Sequence, residues 1–290
     1  MTTTTKTNVE LLAVWFHEQY DDEEWDGSGA VECRFLVDSK CIKYVLIEAD
    51  VYPAGWALTK DINVEFPAFP KGGWNWGVIS SREGKPYFSS TKLEALPGIS
   101  NVWHPVNVDY SELTAVDSLQ ARQPWTLSEK ERLVTHPLFE RPVHMKLAQL
   151  PRDTGALERE TCVYQAIDGK GIGPKFLGNV TEAGRGVIGI LTEWDEGAKA
   201  LELTDRDACL EVLGKLHGCG ITYRGLYQLD DNFTRVGSGG ADGKKKILMR
   251  NFETAEFSTG PSEREQDMQD IERQFLGKAD LELLKATCGV

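Results

Sequence analysis

The sequence predicts an α+β fold in which a β-rich N-terminal extension precedes two lobes. Three observations predict it. Two strand-like runs, V-E-C-R-F-L-V (31–37) and C-I-K-Y-V-L-I-E-A (41–49), flank a short polar turn near the start. After about Val106, further strand-like runs alternate with a segment of helical spacing. The last ninety residues hold two amphipathic helices. The expected divisions are an extension with connector over 1–105, a first lobe over 106–192 and a shortened second lobe over 193–290.

Each element has a local reason. Asp38-Ser39-Lys40 is a hairpin signal between the first two strands. The acidic stretch from Glu18 to Asp26, ending in Gly27-Ser28-Gly29, reads as a loop. The Pro/Gly/Trp-rich run F-P-A-F-P-K-G-G-W-N-W-G (66–77) reads as a connector. Trp74 and Trp76 could bind a flat ligand there, but packing of the aromatic rings onto the core is the preferred reading. S-L-Q-A-R-Q-P-W (118–125), E-R-L-V-T-H-P (131–137) and R-P-V-H-M-K-L-A (141–148) read as three successive strands. Leu157 to Ile167 has helical spacing, and F-L-G-N-V and G-V-I-G-I-L-T-E-W follow as strands. A second helix is expected from Thr204, as N-cap, to His217, with Cys209, Leu210, Leu213 and Leu216 as its core stripe. The stretch 237–246 reads as a flexible turn. A last helix, Ser262 to Lys285, is expected to bury Ile271, Phe275, Leu281 and Leu284.

Composition narrows the function. The chain has 290 residues, 41% hydrophobic and 27% charged, as in a globular protein. With no run of about 18 apolar residues, no membrane partner is expected. The first ten residues lack an apolar run, so a short tail is expected there rather than a secretory signal. The six cysteines show no C-x-x-C spacing, and reduced thiols in the cytoplasm are expected. A net charge of −13, from 45 acidic and 32 basic residues, argues against a DNA partner and suits a cationic substrate. No G-x-S-x-G or H-E-x-x-H is present, and the five histidines show no ligand spacing.

The most informative stretch is L-G-K-L-H-G-C-G-I-T-Y-R-G-L-Y-Q-L-D-D-N-F-T-R-V (213–236). It resembles the catalytic loop of kinase-like phosphotransferases, with Leu216-His217 at a helix end and Asn232-Phe233 in place. Lys146 in V-H-M-K-L-A matches the family's nucleotide-holding lysine, and Glu160 matches its helix glutamate partner. G-I-G-P-K-F-L-G (171–178) resembles the turn into the next strand. L-T-E-W-D-E-G (191–197) resembles the hinge, and R-N-F-E resembles the metal-binding strand. The chain from Val143 to about Ser258 is thus similar to aminoglycoside phosphotransferases and small fungal kinase-like proteins. The resemblance implies a two-lobed protein-kinase-like fold.

It also implies lost phosphotransfer. A working kinase needs a loop aspartate as base and a second aspartate on Mg²⁺. Gly225 and Asn251 occupy those positions, and W-T-L-S-E-K offers no Gly-rich turn for phosphates. No cofactor is expected to be required; residual binding of ATP with Mg²⁺ is the disfavoured alternative. Lys146 and Glu160 read as either a nucleotide clamp or a structural ion pair, the second being preferred. The altered cleft is expected to gather Tyr223, Arg224, Tyr227, Asp230, Asp231, Asn251 and Glu253, with Asn232 and Glu193 beside them. The expected catalytic set is Lys146, Glu160, Tyr223, Arg224 and Asp230; Tyr227, Asp231, Asn232, Asn251, Glu253 and Glu193 would bind substrate. The expected activity is aminoacyl transfer, as in the arginine-containing cyclodipeptide synthases, with a small-molecule or aminoacyl substrate and aminoacyl-tRNA as partner. A non-catalytic pseudokinase binding module and an atypical ATP-dependent small-molecule kinase are the alternatives.

Overall fold

The computed structural model describes residues 8–16, 29–57, 64–116, 130–183, 185–226, 228–237, 246–258 and 260–288, the last eight of these in backbone only. The chain is mixed α+β and divides into two compact units. One comprises Met1–Gly98, Gln149–Arg152 and Glu182–Gly186; the other comprises Ile99–Ala148, Asp153–Thr181 and Val187–Val290.

The first unit is built on a five-stranded sheet. Its strands are β1 (Val9–Phe16), β2 (Val31–Val37), β3 (Cys41–Ile47), β4 (Trp76–Arg82) and β5 (Lys85–Lys92), in spatial order 1-2-3-4-5. β1 and β2, β2 and β3, and β4 and β5 pair antiparallel, whereas β3 and β4 run parallel. The β2–β3 turn works because Asp38 and Ser39 both take positive φ, 52° and 56°, which matches the twist of a tight hairpin. Alternate β2 residues Val31, Cys33, Phe35 and Val37 enter one apolar core with Val45, Ile47, Phe69, Trp74 and Ile79. The connector over 66–77 leads directly into a hairpin that its Pro and Gly content hid. Trp74 is a core residue: it is 6% exposed, stacks on Phe69 and meets Phe88 edge-on.

The alternate face of β2 and β3 buries polar groups within the same unit. Arg34, 1% exposed, donates to Glu182 at 2.6 Å, and the Tyr44 hydroxyl donates to the other Glu182 oxygen at 2.7 Å. Arg185 in turn donates to the Tyr44 oxygen at 2.8 Å. A buried guanidinium is tolerated only while its carboxylate remains.

The second unit holds a six-stranded sheet of β6 (Asn107–Asp109), β7 (Thr114–Ala115), β8 (Glu131–Thr135), β9 (Val143–Leu147), β10 (Phe176–Glu182) and β11 (Gly186–Glu193), ordered 6-10-11-9-8-7. On β9, Val143, Met145 and Leu147 join an apolar cluster with Val134, Val180 and Leu191, so His144 and Lys146 face the other way. Gly189 lies opposite Leu147; a Cβ there would sit 2.5 Å from the Leu147 side chain and 2.7 Å from the Lys146 carbonyl. That glycine lets β11 close on the strand that carries the site lysine. Of the three strands expected over 118–148, the last two are β8 and β9; the first, 118–125, lies outside the described residues, which resume at Lys130.

Helix α1 (Thr154–Ile167) turns Leu157, Glu160, Thr161, Tyr164 and Ile167 inward at i, i+3, i+4 spacing. Helix α2 (Arg206–Gly218) is preceded by a 3₁₀ turn, Leu203–Asp205, closed by a capping box between Glu202 and Asp205. Thr204 therefore sits inside that turn instead of capping the helix. Val212, not Leu210, completes the buried α2 stripe with Cys209, Leu213 and Leu216. The short β12 (Ile221–Thr222), the single turn α3 (Leu229–Asn232), β13 (Phe233–Val236), β14 (Lys246–Met249) and β15 (Glu256–Phe257) follow. β12 pairs with β15, and β13 with β14. Helix α4 (Pro261–Cys288) buries Ile271 and Phe275 as expected; the side chains of Leu281 and Leu284 lie outside the described residues.

Replacing Glu182 by Ala leaves a guanidinium buried without this carboxylate and the Tyr44 hydroxyl without its acceptor. A loss of about 3–5 kcal/mol is expected in urea unfolding, with a smaller loss for Glu182→Gln. A change below about 1 kcal/mol for Glu182→Ala would refute the account.

Candidate functional site

The polar face of the second sheet opens on a cavity of about 990 Å³. Strand register sets its floor. Glu131 on β8 pairs with Lys146 on β9, which pairs with Ile190 on β11; one step along, His144 pairs with Thr192. Period-two alternation then puts Glu131, His144, Lys146 and Thr192 on one face. Helix α1 brings Glu160, and the segment after β14 brings Arg250, Asn251 and Glu253.

Lys146 is the centre of this group. It is 4% exposed, and its ammonium lies 2.7 Å from Glu160, 3.1 Å from Glu253 and 3.4 Å from Glu131. It also donates to Asn251 Oδ1 at 2.8 Å. Burial alone would lower the lysine pKa, but the charges of Glu160, Glu131 and Glu253 reverse that and hold it above its ordinary value. Burial pushes Glu160 up despite Lys146, and the like charges of Glu253 and Glu131 add to the rise. Burial would also raise Glu131; its contact with His144 and the charges of Lys146 and Arg250 outweigh it and bring the carboxyl down to about 2. Asn251 adopts φ 60° and ψ 62°, a left-handed conformation that asparagine tolerates better than most residues.

The altered loop is organised differently from its sequence-based expectation. Tyr223 is fully buried, and burial raises its pKa well above the ordinary value. Its hydroxyl accepts from Asn232 Nδ2 at 2.6 Å and shares its one proton between the carbonyls of Arg250, at 2.7 Å, and Asn251. Asp267 on α4, 2% exposed, accepts from the backbone amides of Tyr223 (2.7 Å) and Arg224 (3.1 Å) and lies 2.9 Å from His217 Nε2. Tyr223 is thus a bracket joining the loop to the 250–251 backbone.

The cavity lining brings together Lys146, Glu160, Glu193, Asp231, Asn251 and Glu253 from the expected set. Tyr223, Arg224, Asp230 and Asn232 are outside it. Arg224 is half exposed, takes φ 45° and pairs with Glu256 at 2.9 Å. Asp230 accepts from the Leu201 amide at 3.0 Å and pairs with Lys278 at 3.2 Å. Tyr227 lies outside the described residues. Sequence reasoning missed Glu131, His144, Thr192, Trp194 and Arg250, all of which line the cavity. The alternation of β8 and β9 could have placed Glu131 and His144 on the lysine's face, had the pairing of the two strands been known.

The lining carries seven carboxylates against five lysine and arginine side chains, so it favours positive charge. Asn232 is committed to Tyr223 and the Asn251 oxygen to the Lys146 ammonium. Among the described residues no cysteine lines the cavity, and burial raises the Cys33, Cys162 and Cys209 thiols, the last to about 12.

Two predictions follow from this geometry. Tyr223→Phe leaves the Asn232 amide and the two carbonyls without their shared partner and should cost about 1–3 kcal/mol in chemical denaturation. Glu131 titrates near 2 when folded against an ordinary 4.5, so its contribution to stability is present above about 4.5 and is lost as pH falls toward 2. Glu131→Gln should flatten that part of the stability profile relative to wild type, with Glu160, whose shift has the opposite sign, common to both proteins. Equal slopes in the two proteins between pH 4.5 and 2 would disprove the assignment. Comparison with protein-family models and with curated proteins found no match to this chain.

Proposed function

We propose that the second unit is a protein-kinase-like scaffold turned from phosphoryl transfer to aminoacyl transfer, in the manner of a tRNA-dependent arginine-containing cyclodipeptide synthase. One observation carries the reading. Lys146, the residue that would hold nucleotide phosphates in a kinase, has its ammonium surrounded by Glu160, Glu253, Glu131 and Asn251. The ammonium donates to Asn251 and has three carboxylates within ion-pair distance, so its charge is already compensated inside the protein. A phosphate entering this site would compete with three carboxylates and be repelled by them. A guanidinium entering the same cavity would find planar acceptors at Glu193, Asp231 and Glu253, suited to paired N–H donors.

On this reading the carboxylates hold the side chain of an arginyl donor. Lys146, with Glu160, keeps the floor rigid and is a positioning residue. The commitment of Tyr223 and Asn232 to backbone and to each other supports the rival reading of a non-catalytic binding module. The two differ in product formation.

The protein incubated with arginyl-tRNA and a set of other aminoacyl-tRNAs should yield an arginine-containing cyclic dipeptide, detected by mass spectrometry. Glu253→Gln should reduce the yield at limiting donor by about tenfold, the loss of one charge-assisted hydrogen bond. No dipeptide with any donor would refute the aminoacyl reading and favour the binding module. Stabilisation by ATP with Mg²⁺ well beyond about 2 °C would instead restore the kinase alternative.

A further inference from the structure

Thr192 on β11 lies opposite His144 on β9, and Glu131 on β8, opposite Lys146, sits diagonally from His144 on the same cavity face. His144 Nδ1 lies 3.4 Å from Thr192 Oγ1, and His144 Nε2 lies 3.5 Å from Glu131 Oε2. The ring is held flat against Trp194, with centroids 6.2 Å apart and planes at 24°. Nε2 is buried with no aligned hydrogen-bond partner, the Glu131 carboxylate being its charged neighbour, whereas the side chain as a whole is 19% exposed. Glu131 is anchored in turn by Lys146 at 3.4 Å. An imidazole on a cavity wall, with a carboxylate beside one ring nitrogen and a hydroxyl beside the other, has the parts that general-base chemistry uses.

We propose that His144 is the general base of this site and Glu131 its positioning residue; the proposal rests on the aminoacyl-transfer reading. Glu131 accepts the Nε2 proton and fixes the tautomer, leaving the Nδ1 lone pair for the cavity. The Thr192 contact at 3.4 Å is long enough for an incoming amine to displace. The step balances without a further reagent. The attacking α-amino nitrogen forms a bond to the ester carbonyl carbon and gives its proton to His144 Nδ1. The carbonyl carbon's bond to the departing ribose oxygen breaks, and His144 returns the proton to that oxygen. A peptide bond and a free hydroxyl result, and His144 is again neutral.

The test uses the full chain and scores wild type and variants side by side with aminoacyl-tRNA. With wild type active, His144→Gln and His144→Ala should lower kcat by about 10²–10⁴-fold and leave KM within about threefold, the range for a lost acid–base group. Glu131→Gln should lower kcat less and, by nitrogen NMR of histidine-labelled protein, should lose the Nε2–H tautomer of His144. Variant folding is checked by circular dichroism, and the wild-type tautomer is read separately because it needs no variant. An active wild type with an active His144→Gln variant would overturn the base assignment and leave aminoacyl transfer standing. An Nδ1–H tautomer in wild type would overturn it too, since the lone pair would then face Glu131. An inactive wild type would remove the aminoacyl reading itself, and with it the role of His144.

Discussion

The structure of the second unit depends on the neutralisation of one buried ammonium. Taking a lysine out of water costs several kcal/mol unless opposite charge accompanies it. Here the compensation comes from three separate places: Glu131 on β8, Glu160 on α1 and Glu253 beyond β14. A sheet, a helix and an irregular segment are thereby tied to one point. Because one ammonium meets three carboxylates, the group is over-compensated. The excess is answered by the charge of Arg250 acting on Glu131 and by the upward shift of Glu160. The Lys146–Glu160 pair therefore belongs to a larger cluster whose charge balance sets the character of the cavity.

The same segment explains the altered loop. The backbone at Arg250 and Asn251 leaves the β-ladder with two carbonyls close together, one belonging to a residue in left-handed conformation. Tyr223 supplies the hydroxyl that answers both, and Asp267 answers the amides of Tyr223 and Arg224 on the other side. A fully buried phenol and a buried carboxylate thus do the positioning. Polar residues that the sequence offered as chemistry are used to hold backbone, which follows from the cost of leaving any such group unpaired.

Local pattern carried the sequence reading where structure is local. Helix α1, the stripe of α2, the β2–β3 hairpin and the Lys146–Glu160 pairing were all legible in periodicity, turn residues and motif order. Failures occurred where a decision depends on distant residues. Nothing near Glu131 says that β8 will lie beside β9 in the register that sets it opposite Lys146. Arg224 and Asp230 looked like cleft residues because they flank a cleft motif. Each instead finds a closer partner elsewhere in the chain, Glu256 and Lys278. Thr204 lost the cap to Glu202 and Asp205 because a reciprocal box satisfies more amides than a lone hydroxyl. The β4–β5 hairpin was hidden by Pro and Gly just ahead of it, although Glu83 and Gly84, both at positive φ, form its turn.

Asn251 acquires a physical meaning in this setting. An aspartate there would set a fourth carboxylate around Lys146 and deepen a negative excess that already raises Glu160. The amide oxygen gives the ammonium its hydrogen bond at 2.8 Å without adding charge. Gly225 brings no side chain to its loop, and the carboxylates facing the cavity come from other elements. Negative charge is concentrated on the sheet face and the 253 segment. There it surrounds a fixed lysine and leaves Glu193 and Asp231 facing the cavity. A cavity so arranged selects by charge before shape, because each carboxylate raises the cost of bringing in phosphate and lowers that of bringing in a planar cation.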